Sequence, residues 1–496
     1  MILAGWGAVL TWAQPGRPVT YAEALAASVA NNLSVATATA SRDQAEGSLL
    51  SANGIYDPLY TIEASTNRSK VQGFLQGFPF SSESRSWSLS NNLSTTLGTG
   101  TTFSANLGIE HNFSETITNL FGVQDTRLQD TFTSNANLSV TQQLLRGVRF
   151  RYNVQNVTQA RTGLELAELE LEKQRQEALY TAAEAYWSWA YQHELHQIAL
   201  GSVEVSLEAL RVGRLQVESG QLAPVEATRL EAALVQARQN ALDAGNLSEQ
   251  AANVVLLAMG QDPGVSVLPS TLPGDVPDVL DLDAARAVEV ALAQNLDLAV
   301  STRNLEQSKL DVDNARHGLL PSLSVTGSTG VASQRCPPGT GGGLDCPETS
   351  ALGSLGGLLA DDNQPFMTLS GQFSVPLGNR SARGERDRVE GLLWQREQEL
   401  AALQRQISAQ VEEQVRALKS ANQRMELADA NRRLAEETLA AEEALAAAGR
   451  TLQKDVLEAR TEVDRARAEA AKARTDYRLA QALLLKLQGQ LSEQRP

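Results

Sequence analysis

Several short stretches of the chain alternate between apolar and polar positions with period two, which predicts strands with one apolar face. Residues 102–113 read TFSANLGIEHNF: Phe103, Ala105, Leu107, Ile109 and Phe113 share one face, Ser104, Asn106, Glu110 and Asn112 the other. Residues 132–144 repeat this, with Phe132, Ala136, Leu138, Val140 and Leu144 against Thr133, Asn135, Asn137, Ser139 and Gln143. Trp87, Leu89, Leu93 and Leu97 alternate with Ser and Thr, and Tyr60, Ile62 and Ala64 do so earlier. Leu323, Val325 and Val331, then Met367, Leu369, Phe373, Val375 and Leu377, continue the pattern later in the chain. The reading gives six strands, each about 9–13 residues long, the length of a tilted membrane strand. A tight turn, GTGT at 98–101, joins two of them, and long loops are expected at 68–85, 114–130 and 332–365.

Elsewhere the composition is helical and the runs are long. Segments near 149–217 and 381–448 have no internal proline; each is about 67 residues, or roughly 100 Å at 1.5 Å per residue. Each meets a glycine and continues into a second helix, over 226–259 and 455–490. Val19–Ser65 lies over Leu282–Ser328 without a gap: Asn32 falls on Asn295, Leu33 on Leu296, Ala52 on Ala315 and Pro58 on Pro321. Pro58 and Pro321 each end a helix before an alternating segment, since proline lacks the N–H and restricts the residue before it. The chain thus reads as an internal duplication, an arrangement that decides the fold before anything else. The first repeat is 14–259, with strands over 59–145 and a helical hairpin over 149–259. A linker rich in Pro and Gly, 260–281, forms an equatorial segment. The second repeat is 282–491, with strands over 322–377 and a hairpin over 381–491, and 492–496 is a tail.

The polar faces of the strands are Ser, Thr, Asn and Gln, and the short turns and long loops are arranged as in an outer-membrane barrel. Following that rule puts every helix on the periplasmic side. Open edges are forbidden in lipid and the smallest bacterial barrels have eight strands, so six strands per chain require several chains to share one barrel.

Composition narrows the partners. Aromatics are 5% and the formal charge is −16, which argues against nucleic acid, since phosphate binding needs a surplus of Lys and Arg. The start, MILAGWGAVLTWAQ, resembles a secretory signal over 1–13 with Ala13 at the cleavage site. No stretch has 18 uninterrupted apolar residues, so no membrane-spanning helix is expected.

The chain resembles the TolC family of outer-membrane efflux and secretion channels. The residues that carry the likeness are ANNL with Pro58, AQNL with Pro321, the strand-to-helix turns LLRGVR (144–149, with Gly147) and VPLGNR (375–380, with Gly378), and the corner GRTLQKDVLEA at 449–459. The resemblance implies an α+β membrane protein: a homotrimer with one shared transmembrane β-barrel in the bacterial outer membrane, continued by a long periplasmic α-helical barrel. It implies a passive exit duct of a tripartite efflux or type I secretion system, working with a periplasmic adaptor and, through it, an inner-membrane transporter.

The resemblance also assigns residues. The corners, Gly220 with Gln221 and Leu222 and Gly449 with Arg450 and Thr451, become the docking edge for the adaptor; the bland alternative is a pair of plain helix C-caps. The acids beyond them, Glu226, Asp455 and Glu458, become a cation-attracting ring at the periplasmic aperture; alternatively they are N-terminal helix charges. Where the family has Arg two residues past the second corner glycine, this chain has Thr451, with Arg450 one earlier, and a usual aromatic is Ala446. The family pattern has two strands per half, so the first half here carries an extra hairpin around GTGT. If that hairpin joins the wall, a trimer has roughly 18 strands; if it folds outside, about 12.

Cys336 and Cys346 bracket a small loop and are expected to form a disulfide in an oxidising compartment. His193 and His196 have no further Cys or His nearby, so no metal is expected, and the aromatics of AYWSWAYQ (185–192) read as helix packing. No nucleophile–base set, P-loop or HExxH is present, so neither enzyme nor cofactor is expected. The competing reading is a soluble trimeric coiled-coil fibre with β-rich knobs, which would need sustained heptads that the Ala-rich helices do not display.

Overall fold

The computed structural model describes residues 16–491 apart from 76, 121, 275–282, 339–345, 362, 449 and 452. The expected signal segment, the C-terminal tail and Gly449 lie outside the described residues. In chain order the elements are β1 (Arg17–Val19), α1 (Tyr21–Asn31), α2 (Leu33–Asn53), β2 (Leu59–Leu75), β3 (Phe78–Thr96), β4 (Thr101–Leu120), β5 (Val123–Gln143), α3 (Phe150–Asn153), α4 (Gln155–Glu218), α5 (Pro224–Ala258), β6 (Val267–Pro269), α6 (Ala284–Gln294), α7 (Leu296–Gly318), β7 (Ser322–Arg335), α8 (Gly353–Gly356), β8 (Gln364–Ser374), α9 (Arg380–Ala447) and α10 (Gln453–Leu487). They cluster into two compact units. One comprises the chain up to Gln44, Glu165–Leu305 and everything from Arg396 on; the other comprises Ala45–Leu164 and Glu306–Gln395.

The first unit is helical, with β1 and β6 paired in parallel. Thr20 starts α1 by accepting the Glu23 N–H at 3.1 Å, and Asp283 starts α6 by accepting from Ala285. The core is thin and Ala-lined, as the composition requires. Tyr186, Trp187 and Trp189 of α4 are buried against Val19, Ala24, Val255 and Met259. The single Tyr186 O–H is shared between the carbonyls of Val19 and Thr271, and its oxygen accepts the Thr271 N–H, so this buried phenol is used as donor and acceptor. A second cluster joins Ala287, Ala291 and Leu298 to Val411, Val415 and Leu418 of α9 and Leu484 of α10. The two hairpins close alike. Gly260 after α5 and Gly489 after α10 have φ of 68° and 70°, and each backs onto the end of a short helix where a Cβ would strike the Asn31 or Gln294 carbonyl.

The second unit holds one antiparallel sheet in the order β2-β3-β4-β5-β7-β8. Its register puts the alternating apolar positions on a single face. Tyr60, Leu93, Ala105, Leu138, Thr329 and Met367 form one row across all six strands. Leu93, Phe103, Leu107, Leu138, Met367 and Leu369 are exposed there. The opposite face carries cross-strand hydroxyl pairs such as Ser65–Ser88, Ser104–Ser139 and Thr141–Thr326, at 2.6–2.9 Å. The hairpin around GTGT lies in the sheet itself, as its third and second strands.

Residues 68–85 and 114–130 are not the expected loops. They continue the hairpins β2–β3 and β4–β5 to Leu75↔Phe78 and Leu120↔Val123, so these strands run 17–21 residues. Gly77 and Gly122, with φ of 85° and 82°, make the reversals. These stretches escape a period-two reading because neither face is apolar. The third connection, between Arg335 and Gln364, is a loop containing α8.

Candidate functional site

The corner after α4 closes as a Schellman turn. The Gln221 N–H reaches the Gln216 carbonyl at 2.8 Å and Gly220 N–H the Val217 carbonyl at 3.0 Å, with Gly220 at φ 74°. Leu222 also donates to Gln216, and Pro224 at the first turn of α5 restarts the helix. The corner after α9 repeats the five-residue span: Arg450 N–H meets the Leu445 carbonyl at 2.9 Å. Open space surrounds the position of a Cβ on Gly220, so its glycine serves the backbone conformation rather than a local close contact.

Each of the three acids meets a neighbour within four residues. Glu226 pairs with Arg229 at 2.7 Å, and Glu458 with Lys454 at 3.2 Å. Asp455 accepts the hydroxyl of Thr451, which stands where the family has Arg, at 2.8 Å across the start of α10. Arg229 and Lys454 are absent from the sequence reading, although their spacings of three and four residues on a helix give them away. They stand beside two of the three carboxylates.

Farther along the same helical unit, α9 and α10 are tied by ions. Arg474 meets Asp429 at 2.6 Å and Arg467 meets Glu436 at 3.0 Å. The Arg467 and Arg432 guanidinium groups hold the Glu436 carboxyl below the usual range, the bond from Arg467 foremost. Burial pushes the Glu194 carboxyl up, against the pull of Arg474 and Arg432.

In the sheet unit, Gly147 and Gly378 adopt φ of 94° and 88° where strand becomes helix. Asn153, unremarked in the sequence, holds the first turn: its amide donates to the carbonyls of Gly147 at 2.6 Å and Gly98 at 3.1 Å. The Pro321 carbonyl accepts from the Arg146 N–H, and Asn379 donates to Leu319. Pro58 directly precedes β2. Apart from the short α8, every helix of this unit joins the sheet at this one end. At the other end Cys336 and Cys346 are joined in a disulfide, with Cα atoms 5.7 Å apart.

Residues 287–490 match the family model described as outer membrane efflux protein. This stretch is similar to outer membrane efflux proteins. Solved outer-membrane channels share the fold of nearly the whole chain. The CmeC channel of Campylobacter jejuni is 15% identical, with 95% of this chain and 85% of that one covered and a TM-score of 0.61. VceC of Vibrio cholerae is 14% identical, with 95% and 96% covered and a TM-score of 0.62. The MtrE channel of Neisseria gonorrhoeae, solved in an open state, is 14% identical, with 96% and 90% covered and a TM-score of 0.61. No curated protein matches the sequence. The efflux-protein match covers the second half, and the fold match extends the likeness to the first.

Proposed function

We propose that this chain is an outer-membrane efflux channel: three copies share one β-barrel, and their helices continue it as a tube into the periplasm. The observation that carries the reading is the sheet. It has an apolar face of exposed side chains, a hydroxyl-rich opposite face, and two edge strands, β2 and β8, exposed along their length apart from the hairpin tip of β2. Between Phe103 and His111 the apolar face covers about 27 Å of strand, or roughly 21 Å along the membrane normal at a tilt of ~40°, close to the band of an outer-membrane barrel. An open edge cannot stay in lipid, so β8 of one copy pairs with β2 of the next. Six antiparallel strands per copy make that seam antiparallel as well, and three copies give about 18 strands. The duct is passive and has no catalytic role. It joins a periplasmic adaptor at the corners Gly220–Leu222 and Gly449–Thr451, and through it an inner-membrane transporter. The likeness of the two hairpin closures supports an origin by duplication.

At the periplasmic end Glu226, Asp455 and Glu458 form a cation-attracting ring. Planar-bilayer recordings test this. The wild-type protein should conduct with cation preference, and Asp455→Asn combined with Glu458→Gln should remove most of that preference. Unchanged selectivity with normal insertion would overturn the ring and leave these acids as helix charges. A protein that never inserts and stays a soluble trimer would be the fibre instead.

A further inference from the structure

The six strands do not end together. β7 leaves the sheet at Arg335, opposite Phe132, and β8 begins at Gln364. β2 to β5 continue past that row to their turns near residues 76 and 121, about 30 Å farther at ~3.4 Å per residue. Residues 123–131 of β5 therefore have β4 on one side and, among the described residues, no strand on the other. The upper part of β2 has only β3. Both free edges expose apolar side chains: Val123 and Leu128 at 70% and 66%, Val71 and Phe74 at 54% and 77%. Long exposed edges of this kind are templates for pairing.

The disulfide-braced loop does not cover the β5 edge. Ser354 meets Ser134 at 2.6 Å, and a Cβ on Gly357 would strike the Ser333 hydroxyl, so α8 and the turn after it lie on the apolar face at the row where β7 ends. Leu358 is buried, while residues 123–129 stay exposed.

We propose that above the membrane band the β5 edge of one copy pairs directly with the β2 edge of the next, so the barrel narrows from about 18 strands to about 12 at its external mouth. The inference rests on the shared-barrel reading. Strand direction fits, because β5 and β2 run oppositely and the new seam is antiparallel like the rest. Charge does not oppose the seam: residues 123–131 carry Asp125, Arg127 and Asp130 and the upper part of β2 carries Arg68 and Lys70, with Arg68 held by Glu83 and Asp130 by His111 within the chain. The partner is a second copy of this chain, and the collar is a restriction on solute size distinct from the periplasmic end.

Cysteine pairs in the full-length protein in outer membranes test it. Val71→Cys is combined in turn with Asp125→Cys, Arg127→Cys or Gln129→Cys, all on the polar face. Within one chain β2 and β5 are three strand spacings apart, about 14 Å, beyond the ~7 Å reach of a disulfide, so any bond joins two copies. Thr61→Cys with Phe366→Cys, Thr368→Cys or Ser370→Cys probes the β8–β2 seam at membrane level. Ser69→Cys with Ser84→Cys, whose hydroxyls are 2.7 Å apart within one chain, reports that the sheet has folded. The collar predicts oxidised dimers and trimers on denaturing gels from both inter-copy series, each peaking at one register. Linking at membrane level alone leaves open windows above the membrane and overturns the collar while the shared barrel stands. Linking in neither series, with the Ser69–Ser84 control oxidised, removes the shared barrel and the collar with it.

Discussion

Gly100 shows how tightly single residues fix the base of the sheet. A Cβ there would lie 2.2 Å from the Gly147 carbonyl oxygen and 2.9 Å from the Asn153 amide, and its φ is 76°. Backbone cannot move aside as a flexible side chain can. Gly100→Ala should cost about 2–3 kcal/mol through strain and the loss of the Asn153 bonds, read as a lower melting temperature in detergent. Glu194 makes a different point. Burial raises its carboxyl pKa, so the folded chain holds that proton more readily than the unfolded chain does. The stability it contributes is full below the unfolded value and is lost as pH rises through the raised folded one. Glu194→Gln should therefore raise the melting temperature at about pH 7–8, and the gain should fade toward about pH 4. A gain that grows with acid would mean the Arg474 pairing, not burial, governs the site.

At the scale of elements, the loop after β7 is held by more than its disulfide. Cys336 also exchanges backbone bonds with Pro347 and Thr349, and Ser354 anchors α8 to β5. Closing a loop of this size is worth about 3 kcal/mol of chain entropy. Replacing Cys336 and Cys346 together by Ser should make the connection between β7 and β8 sensitive to added protease, while the six-stranded sheet, whose strand pairing does not include the bridge, should keep most of its melting temperature. The long helices work the other way. They have thin cores, and their stability is concentrated where large side chains are buried, as at Trp187, 2% exposed, and Trp189, 1% exposed. The aromatic run in α4 was legible as packing because a helix places residues three and four apart on one side.

In the proposed barrel, assembly depends on which face of the sheet meets lipid. Met367 lies on the apolar face and Thr368 beside it on the polar face, both on the free edge strand. Arginine at the lipid face near the midplane costs about 2–4 kcal/mol. Met367→Arg should thus deplete assembled protein from outer membranes, and Thr368→Arg should leave assembly intact and alter conductance only. The reverse order would invert the barrel's faces.

What the sequence by itself determined is local. Period two assigned each apolar strand residue to its face, because side chains alternate along a strand whatever pairs with it. The glycine corners and helix-ending prolines followed from backbone conformations that few residues adopt. The strand count followed from those same runs. Tertiary structure decided the rest. Residues 68–85 and 114–130 read as loops because strands with water on both faces need no alternation, and only their pairing shows them to be hairpins. β5 finds β7 across nearly 180 residues, a contact no local pattern encodes. The ion pairs between the long helices, Arg474 with Asp429 and Arg467 with Glu436, are likewise set by packing, since residues 45 and 31 positions apart share no local pattern.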